Sequence, residues 1–488
     1  MPPKARLPRR AFVFLPVASK LATDKAIERA ALRRYGHGMF RKILIANRGE
    51  IARRIAEAVR PLGVSSVAVY SDADEGAPHT RAADEAVRVG GPAPKDSYLD
   101  AEAILRAARE TGAEAIHPGY GFLSENAAFT RAVHEAGLVF IGPPPEAMER
   151  MKDKAEARRL VREADVPTVP GTDGIISTLE EAKAAAREIG YPVLVKAAGG
   201  GGGIGMMPAT DEASLEKAFR MCGDRARSAF GRDAVYLERY LEAPRHVEVQ
   251  ILGDHHGKLV HLFERECSIQ RRHQKVVEEA PSPLAAQGKG ALLSKMYEAA
   301  VRAAKAFGYA NAGTCEFLVQ GDEFFFIEMN ARLQVEHPVT ELTTGVDLIA
   351  WQLRIASGEK LDLDPASIER RGHAIEMRIY AEDPIRFFPA PGRIDTWNEP
   401  HGEGVRVDAG YAAGQQVTPF YDPMLAKLIV WGQDREEARK RALAAVEGFE
   451  VAGEKLKTNL ELHRRILSDG AFIEGALDTH FLEKHARP

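Results

Sequence analysis

The chain has 488 residues, 45% of them hydrophobic and 28% charged, with a formal charge of -4. That length suits about three domains with sizeable cores, and the charge supplies no general basic field for nucleic acid. Cys222, Cys267 and Cys315 form neither a disulfide framework nor a paired metal motif, and no apolar run approaches the roughly 20 residues that cross a bilayer, so a cytoplasmic protein with neither nucleic-acid nor membrane partner is expected.

Residues 1–38 carry nine Lys/Arg against Asp24 and Glu28. Such a leader suits an organelle-targeting segment or a disordered, over-extended start. The second is preferred, with Met39 as the functional beginning. From Phe40 the pattern alternates. Lys42–Ala46 reads as a buried strand, Asn47-Arg48-Gly49 as a turn, and Glu50–Arg60 as a helix with Ile51, Ile55 and Val59 on one side. Val64–Tyr70, the helix Asp100–Thr111 and Ala115–His117 continue it, which predicts a parallel sheet covered by helices. Asn47-Arg48-Gly49 is not a dinucleotide fingerprint. His117–Gly121 is a loop at a strand end, where open α/β sheets place ligands.

A second unit starts near Met151, with helices over Lys152–Ala164 and Leu179–Ile189. The strand Tyr191–Lys196 then runs into five consecutive glycines, Gly199–Gly203. Ordering them is costly, and close approach of backbone N–H groups to phosphate oxygens is a reason to do so. Val235–Leu241 and Pro244–Ile251 read as strands, the latter with His246, Glu248 and Gln250 on one face. Glu264–Lys275 holds the densest cationic cluster, suited to a small oxyanion.

Gly313–His337 is the richest stretch. Thr314–Gln320 and Phe324–Asn330 are separated by Gly321-Asp322-Glu323, a hairpin signal that sets Glu316 opposite Glu328. Opposed carboxylates repel, and a hard divalent cation with a nucleotide phosphate would relieve them. Glu328, Asn330 and Arg332 share one strand face. The run Phe324–Ile327 looks buried on both sides. The last unit, from about His373, has short strands at Ala374–Tyr380, Gly404–Val407 and Tyr421–Trp431, and a helix over Arg435–Glu447.

Four ordered runs, 45–52 (IANRGEIA), 117–126 (HPGYGFLSEN), 270–281 (QRRHQKVVEEAP) and 334–341 (QVEHPVTE), make the chain resemble the biotin carboxylases of the ATP-grasp superfamily from Phe40 to about Lys484. The resemblance implies a mixed α/β and α+β protein. It would have an N-terminal parallel α/β domain (39–151), an ATP-grasp domain (152–373) with a mobile lid (about 168–241), and a C-terminal β-rich domain (374–485). It also implies roles. Lys154 and Lys196 would contact ATP phosphates beneath a lid carrying Gly202 and Gly203. Glu238, Arg239, Tyr240 and Leu241 would hold adenine, with His246, Gln270 and His273 also at the nucleotide. Glu316, Glu328 and Asn330 would bind Mg²⁺ or Mn²⁺, the two glutamates also lying against ATP. Lys275, Arg332, Gln334 and Val335 would hold bicarbonate. Glu336 would deprotonate it, and Arg378 would bind biotin and stabilise its enolate.

Ile204 stands where relatives usually carry Lys or Arg, so weaker nucleotide retention is expected. The 488 residues hold no biotin-acceptor signature. Biotin is therefore expected on a separate carrier protein. The further partners expected are a second copy of the chain and a carboxyltransferase subunit, in an acetyl-CoA or other acyl-CoA carboxylase serving fatty acid biosynthesis. Two alternatives remain at this stage: another ATP-grasp ligase that forms an acyl-phosphate, and a catalytically silent nucleotide-binding scaffold.

Overall fold

The computed structural model describes residues 38–172, 174–197, 205–230, 235–272 and 274–485. Gly202, Gly203, Ile204, His273 and the leader up to residue 37 lie outside them. Five strands open the fold: β1 (Lys42–Ile45), β2 (Ser65–Ser71), β3 (Glu85–Gly90), β4 (Ala115–His117) and β5 (Val139–Phe140). They form a parallel sheet in the order β3-β2-β1-β4-β5. Leu44, Val67 and Ile116 pack into one core, while Ile43 and Ile45 join Ile51, Ile55 and Trp351 in another. A run apolar at every position is what a sheet covered on both faces requires. The motifs at 45–52 and 117–126 interlock: Asn47 Nδ2 donates to the carbonyls of Pro118 and Tyr120 at 2.7 and 2.8 Å. A Cβ on Gly119, which has φ +62°, would come within 2.8 Å of that same amide.

A small antiparallel sheet follows, with β6 (Val193–Ala197) between β7 (Met206–Ala209) and β8 (Val235–Arg239). The helices Leu179–Ile189 and Glu212–Phe230 cover it, and Ala186, Val195, Leu215 and Leu237 give it a core of its own. The first of these helices begins on a capping box between Thr178 and Glu181.

The rest is built on one antiparallel sheet. Its strands are β9 (Arg245–Gly253), β10 (Leu259–Arg271), β11 (Gln274–Ala280), β12 (Asn311–Gln320), β13 (Glu323–Asn330) and β14 (His373–Tyr380). The pair formed by β15 (Thr396–Asn398) stands apart, while β16 (Val405–Ala409) and β17 (Met424–Gly432) extend the large sheet; β18 (Glu450–Ala452) partners β15. The order β13-β12-β9-β10-β11-β14-β17-β16 is continuous. β14, with which the last unit begins, pairs directly with β11.

Two local expectations change. The helix expected over Lys152–Ala164 is two helices, Pro145–Lys152 and Lys154–Glu163. They break at Asp153, whose carboxylate accepts from the Ala155 and Glu156 amides and caps the second one. Secondly, Phe324, Phe325 and Phe326 are buried but Ile327 is 41% exposed, because it is an extra residue in the ladder: the pairing steps from Phe317↔Phe326 to Glu316↔Glu328.

Candidate active site

Carboxylates gather on the large sheet by register. Glu248 on β9, Glu316 on β12 and Glu328 on β13 lie directly opposite one another in a row, with Arg265 of β10 at its inner end. Three acids in line would repel, so the cations around them decide whether the row holds. Arg265 Nε donates to Glu248 at 2.5 Å, and the rest of its guanidinium reaches Gln250, Thr340 and Thr314 at 2.7 to 3.1 Å. Lys275 Nζ reaches Glu248 at 2.5 Å, Glu336 at 2.7 Å and Glu316 at 3.0 Å. Burial opposes its charge, but these three carboxylates hold the ammonium well above the ordinary lysine range.

Glu316 is the best-served member of the row. Its Oε1 also accepts from Asn330 and Gln334 at 2.9 and 2.8 Å, and His246 Nε2 stands 3.0 Å from Oε2. Burial would raise this carboxyl, yet Lys275 and His246 overcome it and hold it far below the usual value. Glu328 differs. It is exposed, and it makes no hydrogen bond or ion pair with a described residue. Crowding by protein, then the charges of Glu316 and Glu125, push its carboxyl up. An uncompensated carboxylate oxygen facing a second one, with the Asn330 amide beside them, is a donor set that fits a hard divalent cation.

Along the sheet a second group forms. The pairing of β10 with β11 shifts by one residue between Ile269↔Val277 and Gln270↔Lys275, leaving Val276 as an extra residue. That shift turns Lys275 to the same face as Glu278, Glu376 and Arg378. Arg378 Nε donates to Glu278 at 2.6 Å and its Nη2 to Glu336 at 2.9 Å. Glu336 is fully buried at the start of the helix His337–Thr344. Burial would push its carboxyl up, but Lys275, Arg378 and Arg265 hold it well below the carboxylate range. Arg332 reaches Asn330 and Gln334 at 3.0 and 2.9 Å and stands 3.6 Å from Glu125. Val335 gives its carbonyl to Lys427.

On the small sheet, Lys196 is paired with Glu238, which also accepts from Arg158 at 3.2 Å. The amides of Arg239 and Tyr240 are bonded to the Pro170 and Pro192 carbonyls, and the Arg239 side chain lies over Phe325 and bonds Glu323 at 2.9 Å. Leu241 is buried just beyond. Lys154 is the exposed first residue of its helix, and Gln270 sits beside Lys275 at the end of β10. The structure thus gathers His246, Lys275, Glu316, Asn330, Arg332, Gln334, Glu336 and Arg378 in one bonded network, while Lys196 and Glu238 pair with each other on the small sheet.

Sequence reasoning missed Glu248, Arg265, Glu278 and Glu125 as members of this network. The period-2 face that Glu248 shares with His246 was a usable signal. Glu278 was hidden by the Val276 shift, which no periodicity reveals.

Family models match three consecutive stretches: "Biotin carboxylase, N-terminal domain" over 39–148, "Carbamoyl-phosphate synthase L chain, ATP binding domain" over 153–364, and "Biotin carboxylase C-terminal domain" over 376–484. The biotin carboxylase of Halalkalibacterium halodurans is 51% identical over 92% of this chain and 98% of that protein. Biotin carboxylase 2 of Bacillus subtilis is 51% identical over 92% of this chain and 100% of that protein. The biotin carboxylase domain dimer of Hydrogenobacter thermophilus 2-oxoglutarate carboxylase, solved with MgADP, ADP and bicarbonate, superimposes with a TM-score of 0.84 at 47% identity, covering 92% of this chain and 98% of that one. Matched in order by these models and half identical to such enzymes over nearly its whole described length, the chain belongs to the biotin carboxylase family.

Proposed function

We propose that the chain is an ATP-dependent ligase that carboxylates biotin on a carrier protein with bicarbonate, by way of carboxyphosphate. The observation that carries this reading is Glu336, a buried carboxylate held at 2.7 Å by Lys275 and 2.9 Å by Arg378 and lying one turn of chain from Gln334 and Arg332. A cationic frame around one carboxylate can take a second small anion, because Lys275 can pass its hydrogen bond from Glu336 to the newcomer while Arg378 turns to biotin. Glu336 then loses the partners that depress its basicity and can remove the bicarbonate proton.

The deprotonated bicarbonate oxygen attacks the γ-phosphorus of ATP, and ADP leaves. Lys275, Arg332 and Gln334 hold the anion in line, while Lys154 and Lys196 meet the phosphates. Lys196 must give up Glu238 to do so, a side-chain change within the small sheet that carries both residues. A divalent cation held by Glu316, Glu328 and Asn330 would supply charge neutralisation at the phosphates. Arg239 and Tyr240 have spent their amides, so the adenine contacts fall to carbonyls and to Leu241. Carboxyphosphate breaks to CO₂ and phosphate; the phosphate takes the N1′ proton of biotin, and the new N–C bond forms to CO₂. Arg378 faces the negative charge that develops on the ureido oxygen. Closure of the small sheet, with its separate core, excludes water from the labile intermediate.

The partners this chemistry calls for are a biotinyl carrier protein and a carboxyltransferase subunit, and the dimer of the Hydrogenobacter thermophilus domain supports a second copy of the chain. The test is ADP release measured with and without bicarbonate and free biotin. Release that needs bicarbonate and rises with biotin is expected. Release independent of bicarbonate would mark a different ATP-grasp ligase, and none at all a nucleotide-binding scaffold.

A further inference from the structure

Arg378 on β14 lies directly opposite Lys427 on β17. Two cations facing each other on one sheet face repel, so each must be neutralised by other groups. Arg378 has Glu278 and Glu336. Lys427 has a different set. Its Nζ donates to the Val335 carbonyl at 2.8 Å and stands 3.3 Å from Glu50 Oε2 and 3.7 Å from Asp408 Oδ2. The side chain is wholly buried. Burying an ammonium is costly, and the site it occupies joins three parts of the chain: the first turn of the helix Gly49–Val59 through Glu50, the edge strand β16 through Asp408, and the turn Gln334–Val335–Glu336.

That turn carries the groups assigned above to the anion. Its carbonyl at Val335 belongs to the peptide that leads directly into Glu336. Rotation of this peptide would swing the Glu336 carboxylate away from Lys275 and Arg378, and would move Gln334 off Glu316. The far side of the turn is tied by the Gln334 carbonyl to the His337 amide and ring at 3.3 and 2.8 Å, and Lys427 ties the middle. Asp408 is shared with Arg406, which bonds it at 2.8 and 2.7 Å. Glu50 forms no hydrogen bond through either oxygen. It stands 3.3 Å from the ammonium, and burial pushes its carboxyl up to about 7 although Lys427 pulls the other way.

We propose that Lys427 is a positioning residue for bicarbonate: it holds the Val335 peptide so that Gln334 and Glu336 face the anion, and Glu50 couples this hold to the N-terminal parallel sheet. The proposal rests on the function assigned above, and it assigns Lys427 no contact with any substrate.

The experiment is steady-state bicarbonate-dependent ADP release by wild type, Lys427→Met, Lys427→Arg and Glu50→Gln, with MgADP binding measured by calorimetry on the same proteins. Lys427→Met should raise the bicarbonate KM about tenfold, the scale of one charge-assisted hydrogen bond, and leave the MgADP Kd within about twofold. Lys427→Arg keeps charge and donor and should restore most of the affinity, while Glu50→Gln should raise the bicarbonate KM by a smaller factor. Should Lys427→Met not fold, the last two variants decide. A bicarbonate KM unchanged in Glu50→Gln and Lys427→Met, or MgADP binding weakened as much as bicarbonate use, overturns the positioning role. Wild type that releases no ADP in response to bicarbonate overturns instead the function on which it rests.

Discussion

Glu316 and Glu328 face each other across the β12–β13 hairpin because two irregularities combine. The turn between Gln320 and Glu323 is the two residues Gly321 and Asp322, with Gly321 at φ +63°, one residue shorter than the composition suggests. Ile327 then bulges out and supplies the missing residue, so Glu328 and not Ile327 arrives opposite Glu316. The acid without a cation therefore sits at the outer end of the row, where an ion can enter.

Removing that acid should cost metal affinity and little else. Glu328→Gln is expected to raise the Mg²⁺ concentration for half-maximal activity about tenfold or more, while the melting temperature holds or rises slightly as the repulsion with Glu316 disappears. A metal titration beside a thermal melt measures both. An unchanged Mg²⁺ requirement would remove Glu328 from the ion's ligands.

Lys196 should report on nucleotide and not on bicarbonate. It lies outside the bonded network around Glu336 and is paired with Glu238. Lys196→Met is expected to raise the ATP KM about tenfold with the bicarbonate KM within about twofold. Equal rises in both constants would mean that the small sheet and the anion site act as one unit.

The architecture was legible because its signals are local. The alternation from Lys42 to Phe140, the buried apolar run of β1 and the glycine-interrupted strand at Lys196 each specify an element without reference to the rest. The Glu316–Glu328 pairing was also legible, although by an argument that assumed a longer turn and no bulge. What escaped depends on register between distant strands. Glu248 meets Glu316 only because β9 is the neighbour of β12, and Arg378 meets Glu278 only because β14 joins β11. The break at Asp153 escaped for another reason: an aspartate that competes for backbone amides interrupts a helical period that is otherwise unbroken.

Lys275 should be structurally as well as catalytically necessary. It neutralises Glu248, Glu316 and Glu336 together, and leaving buried carboxylates unpaired costs about 3–5 kcal/mol. Lys275→Met is expected to lose stability on that scale in denaturant unfolding. Adding Glu248→Gln, which removes one of the stranded charges, should recover part of the loss. A double variant no more stable than the single one would show that Glu248 is satisfied by Arg265 alone.

Acid stability follows from groups that titrate in opposite directions. Burial would raise Glu279, but Arg435 and His373 hold it at about 2; burial would raise Asp408, but Arg406 and Lys427 hold it at about 2. Depressed carboxyls give stability that is fully present above their ordinary values, 4.5 and 3.8, and is lost as the pH falls toward about 2. Burial holds His79 and His463 down to about 4, so they withdraw stability earlier, from about pH 6.5 downward. Glu50, pushed by burial to about 7, works against them, because its native state takes up a proton that the unfolded chain does not. The melting temperature should therefore fall only gently from pH 7 to 4.5 and steeply below it. Glu279→Gln should flatten the steep limb, and the same slope below pH 4.5 in wild type and variant would show that the Arg435 and His373 pairs do not set acid lability.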